Sequence, residues 1–228
     1  MTKLEGPELL KLSKAVNELN IHSLISQIQE HMIIYQSKFV GQNPVKILET
    51  VYQHESLANL RNFCLEKICK EPDKYIKFIN LKAPLLELLL KRDDLKLSEI
   101  VIWDSLLKWG LAQNPSISQD TTKWSKEETT IMERTLHRYI SLVRFNHIIS
   151  SENFLDKIYP LKELLPKDLV NDLLKFYITP NKKTIINIHP PRQISQPRQS
   201  TIDSVVFVGM VGMLAMIMII PLAWNNYH

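Results

Sequence analysis

The stretch PLLELLLKRDDLKLSEIVIWDSLLKWGLA, Pro84 to Ala112, decides the fold. It opens on a proline suited to a first helical turn, and Pro84–Leu90 reads as a short, almost wholly apolar helix that belongs at the centre of a core. Lys91-Arg92-Asp93-Asp94 breaks it with turn chemistry. Ser98 then starts a second helix, whose stripe of Trp103, Leu106, Leu107 and Gly110 keeps a three-to-four-residue spacing. Two helices joined by a short polar turn pack antiparallel, so the unit of construction is the helix pair.

The same punctuation recurs on both sides. Upstream, Pro7 opens a helix carrying Leu9, Leu12, Val16 and Leu19, and a second is predicted from about Ser23 to Phe39, ended by Gly41. Asn43-Pro44 reads as an N-cap followed by proline at the first helical position, leading into Ile47, Leu48 and Val51. Ser56 is expected to cap a helix that carries Leu57, Leu60, Phe63, Cys64 and Ile68 inward until Pro72. Downstream, Ser125 and Glu128 have the spacing of a capping box, and shorter helices start at Ser151 and Pro166. Hairpin signals such as Asn-Gly or Asp-Gly are missing. The expected fold class is all-α, with stacked antiparallel helix pairs.

Composition excludes several functions. The net charge is +4, but Lys and Arg alternate with Asp and Glu, so no one-signed basic stripe suits a nucleic acid. Of five glycines only Gly6, Gly41 and Gly110 precede position 200, too few and too scattered for a phosphate loop or a dinucleotide fold. Cys64 and Cys69 read as buried reduced thiols. The seven histidines contain no His-x-x-x-His pair, Cys64 has no evident partner base, and Asp93-Asp94 reads as turn chemistry. No catalytic residue, cofactor or metal ligand is expected. Trp103 belongs to the apolar stripe. Trp109, six positions on, falls on another face and is the better candidate for an exposed binding anchor.

From Thr179 to Asp203 the composition shifts to Pro180, Pro190, Pro191 and Pro197 among polar and basic residues, which describes an extended linker. The uncharged run 204–224 comes next, long enough to cross a bilayer core of ~30 Å. Its ten Val, Leu, Ile and Phe residues contribute roughly −3 to −6 kcal/mol to insertion. Val205, Phe207, Val211, Leu214, Ile217, Ile220 and Trp224 would face lipid in such a transmembrane helix. Lys182, Lys183, Arg192 and Arg198 precede it, which predicts a single-pass membrane tail anchor with the helical region on the cytosolic side. In the alternative, Val205–Val208 is a strand of a truncated domain and the tail is no membrane span.

The order of three motifs carries a resemblance. LLELLLKRDDLKLSEIVIWDSLLKWGLAQNP, then Lys123-Trp124-Ser125, then HRYISLVRFNHIISSENFLDKIYPLKELLPKDL closely resembles the BACK domain of BTB–BACK proteins, in particular those that carry a TLD domain after it. Pro190-Pro191-Arg192 and Ile202-Asp203-Ser204-Val205-Val206 are similar to the stretch that leads into a TLD domain. The resemblance implies BTB-like C-terminal helices over 1–42, a BACK-like helical domain over 43–178, a linker over 179–203 and the hydrophobic segment over 204–224. It implies a non-enzymatic substrate-adaptor scaffold for cullin ubiquitin ligases, cytoplasmic apart from any membrane tether. In such proteins the first BACK helices, here about Pro44 to Lys70, extend the cullin contact. Leu48, Val51, Tyr52, Leu57 and Leu60, together with Trp109, are therefore the expected partner-binding residues. The BTB sheet and the TLD domain have no counterpart here, which opens a second expectation: a truncated member with no ligase role.

Overall fold

A computed structural model describes residues 5–19, 21–148, 151–178 and 190–192. Among them the protein is all-α, and no strand is present. The helices are α1 (Gly6–Glu18), α2 (His22–Tyr35), α3 (Ser37–Gln42), α4 (Pro44–Val51), α5 (Ala58–Lys70), α6 (Pro72–Tyr75), α7 (Ala83–Leu90), α8 (Glu99–Gln113), α9 (Lys126–Ile140), α10 (Ser151–Asn153) and α11 (Lys167–Ile178). Short helical turns, including Phe78–Asn80, Phe145–His147 and Tyr159–Leu164, fill the connections. The compact unit holding all of these runs from Met1 to Ile194, and residues 195–228 lie outside the described residues.

Three pairs build the stack: α1 against α2, α4 against α5, and α8 against α9, with α2 also packed on α5. The apolar faces join in one continuous core from Leu9 through Leu173. Pro84–Leu90 does sit at its centre, with Leu85, Leu86, Leu89 and Leu90 all buried. Side chains of α9 pack directly on the α8 backbone at Gly110, where a Cβ would meet Met132 and Leu136 at 2.8 and 3.1 Å.

The capping box at Ser125 and Glu128 forms as expected, with each side chain accepting the other's backbone N–H. Other boundaries differ. Helix α2 stops at Tyr35, Gln36 breaks the helical geometry, and Gly41 lies within α3. Asn43 does not cap α4; its Nδ2 donates back to Phe39 O and serves the end of α3. Ser56 does not cap α5 either, because a helical turn over Glu55–Leu57 precedes that helix. Buried Gln29 takes over instead. Its Oε1 accepts from Leu60 N at 3.1 Å and its Nε2 donates to Ser56 O at 2.9 Å, which satisfies the start of α5 from α2. Asn17, hydrogen-bonded to His54 Nδ1 at 3.0 Å and to the Ser56 hydroxyl, joins α1 to the same corner.

Cys64 and Cys69 are buried free thiols, both pushed up to about 12 by burial. An unfolded thiol ionises near ~8.5, so the native state keeps its protons where the unfolded chain would lose them. The corresponding stability is complete below pH ~8.5 and is lost as pH climbs from there towards 12. A thiol reagent at pH 7.5 should therefore leave both cysteines unmodified in the native protein and label both in urea. Rapid native labelling of either would contradict this placement.

Candidate functional site

The site with the most concentrated polar chemistry lies where three helix ends meet. Arg92 pairs with Asp94 through two bonds of 2.7 Å, which fixes the turn after α7. Lys96 N donates to Cys69 O at 3.0 Å and pins that turn to the end of α5. Ser98 precedes α8, and Glu99 occupies its first turn, where the helix dipole favours a carboxylate. Yet Glu99 does not face water. It lies on the same face as Ile102, Trp103 and Leu106 and is buried with them.

A buried carboxylate needs partners. Glu99 Oε2 accepts the Arg144 backbone N–H at 3.0 Å, just beyond the end of α9. Glu99 Oε1 accepts Arg192 Nε at 2.7 Å, and the two side chains are 4% and 1% exposed. The remaining guanidinium nitrogens reach carbonyls that the helices leave open. Nη1 donates to Leu90 O at 2.9 Å and to Arg92 O, at the end of α7. Nη2 donates to Leu142 O at 2.9 Å, after α9. One cation thus caps the C-terminus of α7 through Leu90 O, where the dipole favours positive charge, ties in the turns after α7 and α9 through Arg92 O and Leu142 O, and neutralises a carboxylate in the first turn of α8. Burial pulls the Arg192 guanidinium below its ordinary range while contact with Glu99 opposes that pull. Its starting value is high enough that it stays charged at neutral pH.

Arg144 holds the segment from the other side. It is buried, pairs with Asp93 and donates Nη1 to the Pro190 carbonyl. Without Arg192, the socket has two carboxylates, Glu99 and Asp93, against one cation, Arg144. Arrival of Arg192 balances it. Pro190-Pro191-Arg192, expected to be part of an extended linker, is thus docked into the helical unit.

The predicted partner-binding residues lie elsewhere. Leu48, Val51, Leu57 and Leu60 are fully buried between α4, α5 and their neighbours. Tyr52 is half-buried, and its hydroxyl accepts from Gln53 Nε2 at 2.6 Å. Facing solvent on these helices are Lys46, Asn59, Asn62 and Glu66. Trp109 is not an exposed anchor: it is 4% exposed, donates Nε1–H to Leu81 O at 2.9 Å and meets the Tyr139 ring edge-on. Helix α8 is covered on more than one side, so a six-residue offset still leads into the core. Trp103 is buried as its stripe implies, with Nε1 donating to Lys157 O at 3.2 Å. The lipid-facing candidates from Val205 to Trp224 lie outside the described residues, among which no helix is long and apolar enough to cross a membrane. Also among the described residues, no group of three or more His, Cys, Asp or Glu is arranged to hold a metal ion.

Sequence reasoning missed Glu99, Arg144 and Arg192. A signal for Glu99 was present, since it shares the 99, 102, 103, 106 spacing of the core stripe and a carboxylate there requires a cation. Nothing local points to one 93 positions away. No protein-family model, curated protein or solved structure matches this chain.

Removing one partner of a buried ion pair costs about 3–5 kcal/mol, a large part of the about 5–15 kcal/mol that holds a domain folded. Urea unfolding of Arg192→Ala should show a loss of that size, and a chain ending at residue 178 should lose at least as much. A chain ending at residue 194 should keep this contribution. Equal stability of the 1–178 and 1–194 chains would refute the assignment of Arg192 to the folded unit.

Proposed function

We propose that this protein is a non-enzymatic interaction scaffold of BACK type, the helical spacer of a cullin ubiquitin ligase substrate adaptor. The observation that carries the proposal is the docked Pro190-Pro191-Arg192 segment. A spacer must hold its upstream and downstream neighbours at a fixed separation, and a continuous core ending in a buried ion pair suits that task. The α1–α2 pair joins the rest through the Asn17, His54, Ser56 and Gln29 contacts, so the upstream end is also held by specific polar bonds. The order of motifs from Leu85 to Leu169 supports the BACK assignment, and the Pro-Pro-Arg tripeptide is itself similar to the stretch that leads into a TLD domain.

The partners proposed are proteins, with a cullin first among them, and no nucleic acid. A membrane tether through 204–224, leaving the helical unit cytosolic, rests on the apolar character and length of that run. The inward placement of Leu48, Val51, Leu57 and Leu60 favours a second reading, a truncated family member without a ligase role, because it leaves a largely polar α4–α5 surface for a partner.

Co-purification of the full chain with a cullin separates the two. Retention that is lost on introducing negative charge at Asn59 and Asn62 (N59D/N62D) supports the adaptor; no retention of any cullin supports the truncated member. The tether is checked separately by carbonate extraction of membranes from cells expressing the full chain. The protein should stay in the membrane pellet, and its release into the supernatant would remove the tail anchor from the proposal.

A further inference from the structure

The geometry points to the Glu99 socket as a recognition site for proline-preceded arginine in an extended peptide, with Pro190-Pro191-Arg192 as its internal ligand. The socket reads very little of that segment. The side chains of Pro190 and Pro191 are exposed, and among the described residues the polar contacts of the segment involve the guanidinium and the carbonyl two residues before it. The acceptors are fixed in advance: the C-terminal carbonyl of α7, the turn carbonyl of Leu142 after α9 and a carboxylate held by the Arg144 backbone N–H. A planar fork with several N–H donors fits them, whereas a lysine would supply only a point charge. Proline before the arginine restricts the preceding backbone to extended geometry, which aims the carbonyl at Arg144 and reduces the ordering needed on docking. The ligand rule is therefore short: X-Pro-Arg, extended, with nothing required of the side chain of X.

Any segment obeying that rule is a ligand in trans once the internal one is absent. The chain contains a second such tripeptide, Gln196-Pro197-Arg198, which makes a suitable sequence for a probe peptide. While the internal segment is present it competes at an effective concentration on the order of millimolar, so an outside peptide must exceed that to enter. The inference does not depend on the ligase reading.

The test uses the full chain carrying Arg192→Ala, with Arg198→Ala added in this and in the Arg192→Lys variant so that Gln196-Pro197-Arg198 cannot fill the socket from within, and two fluorescent peptides, IHPPRQI (188–194) and ISQPRQS (194–200), each with an Arg→Ala control. Both arginine peptides should bind the variant and raise its unfolding temperature in proportion to peptide concentration, while the controls do neither. The wild-type chain should bind at least ~100-fold more weakly, because its socket is filled. If the variant alone is unfolded, either arginine peptide at millimolar concentration should restore the helical circular dichroism signal. Arg192→Lys, which keeps a cation beside Glu99 but not the fork, should bind more weakly than Arg192→Ala and more tightly than wild type. Failure of both peptides to bind or rescue Arg192→Ala overturns the site. Binding of 188–194 alone overturns the ligand rule. Equal binding to wild type and variant places the peptide elsewhere and overturns the socket as its site.

Discussion

A carboxylate on the buried face of α8 is the constraint around which the rest of the structure is arranged. Glu99 sits where the helix period demands an apolar side chain, and it is tolerated there only because a guanidinium from the far end of the helical unit reaches it. Such a pair adds little over a well-packed apolar substitute, but half of it is strongly destabilising. Its value is therefore conditional. The helical stack is electrostatically complete only when residues 190–192 are in place, and the same cation closes the open carbonyls after α7 and α9. Residues 190–192 are thus part of the folded unit in an energetic sense.

Several other buried polar groups obey the same logic on a smaller scale. Trp103, Trp109, Tyr139 and Gln29 each deliver an apolar body to the core and a donor to a backbone carbonyl. Tyr177 does so at the end of the stack: its ring stacks on Phe154 at 4.6 Å, and its hydroxyl lies 2.8 Å from Ile148 O and 3.0 Å from Phe145 O. These bonds tie irregular connections to regular helices. They explain how a protein with many short helical turns keeps its buried backbone groups paired.

The features legible in the sequence are those that are local and periodic. The helices α7 and α8, the stripe through Trp103 and the Ser125–Glu128 box arise from residue spacing within one or two helical turns and are found where expected, whereas α8 takes α9 as its packing partner. The break at Gln36 and the backward role of Asn43 were not legible, because Asn43-Pro44 suits the start of one helix and the end of another equally well. Trp109 misled for a different reason. A face opposite the main stripe is exposed on a surface helix but not on one packed from several sides, and that distinction is tertiary. The Glu99 socket combines four segments separated by up to 102 positions, so its parts look unremarkable apart: a turn, a helix start, the stretch after α9 and a proline-rich connector.

The most direct measurement is the exchange behaviour of the Arg192 Nε–H by nitrogen-detected NMR on the full chain. A buried, paired Arg192 gives a resolved signal, displaced from those of solvent-exposed arginines and slow to exchange at neutral pH, which disappears into the exposed set on Glu99→Ala. An Arg192 signal that exchanges as fast as the surface arginines in the wild-type protein would contradict it.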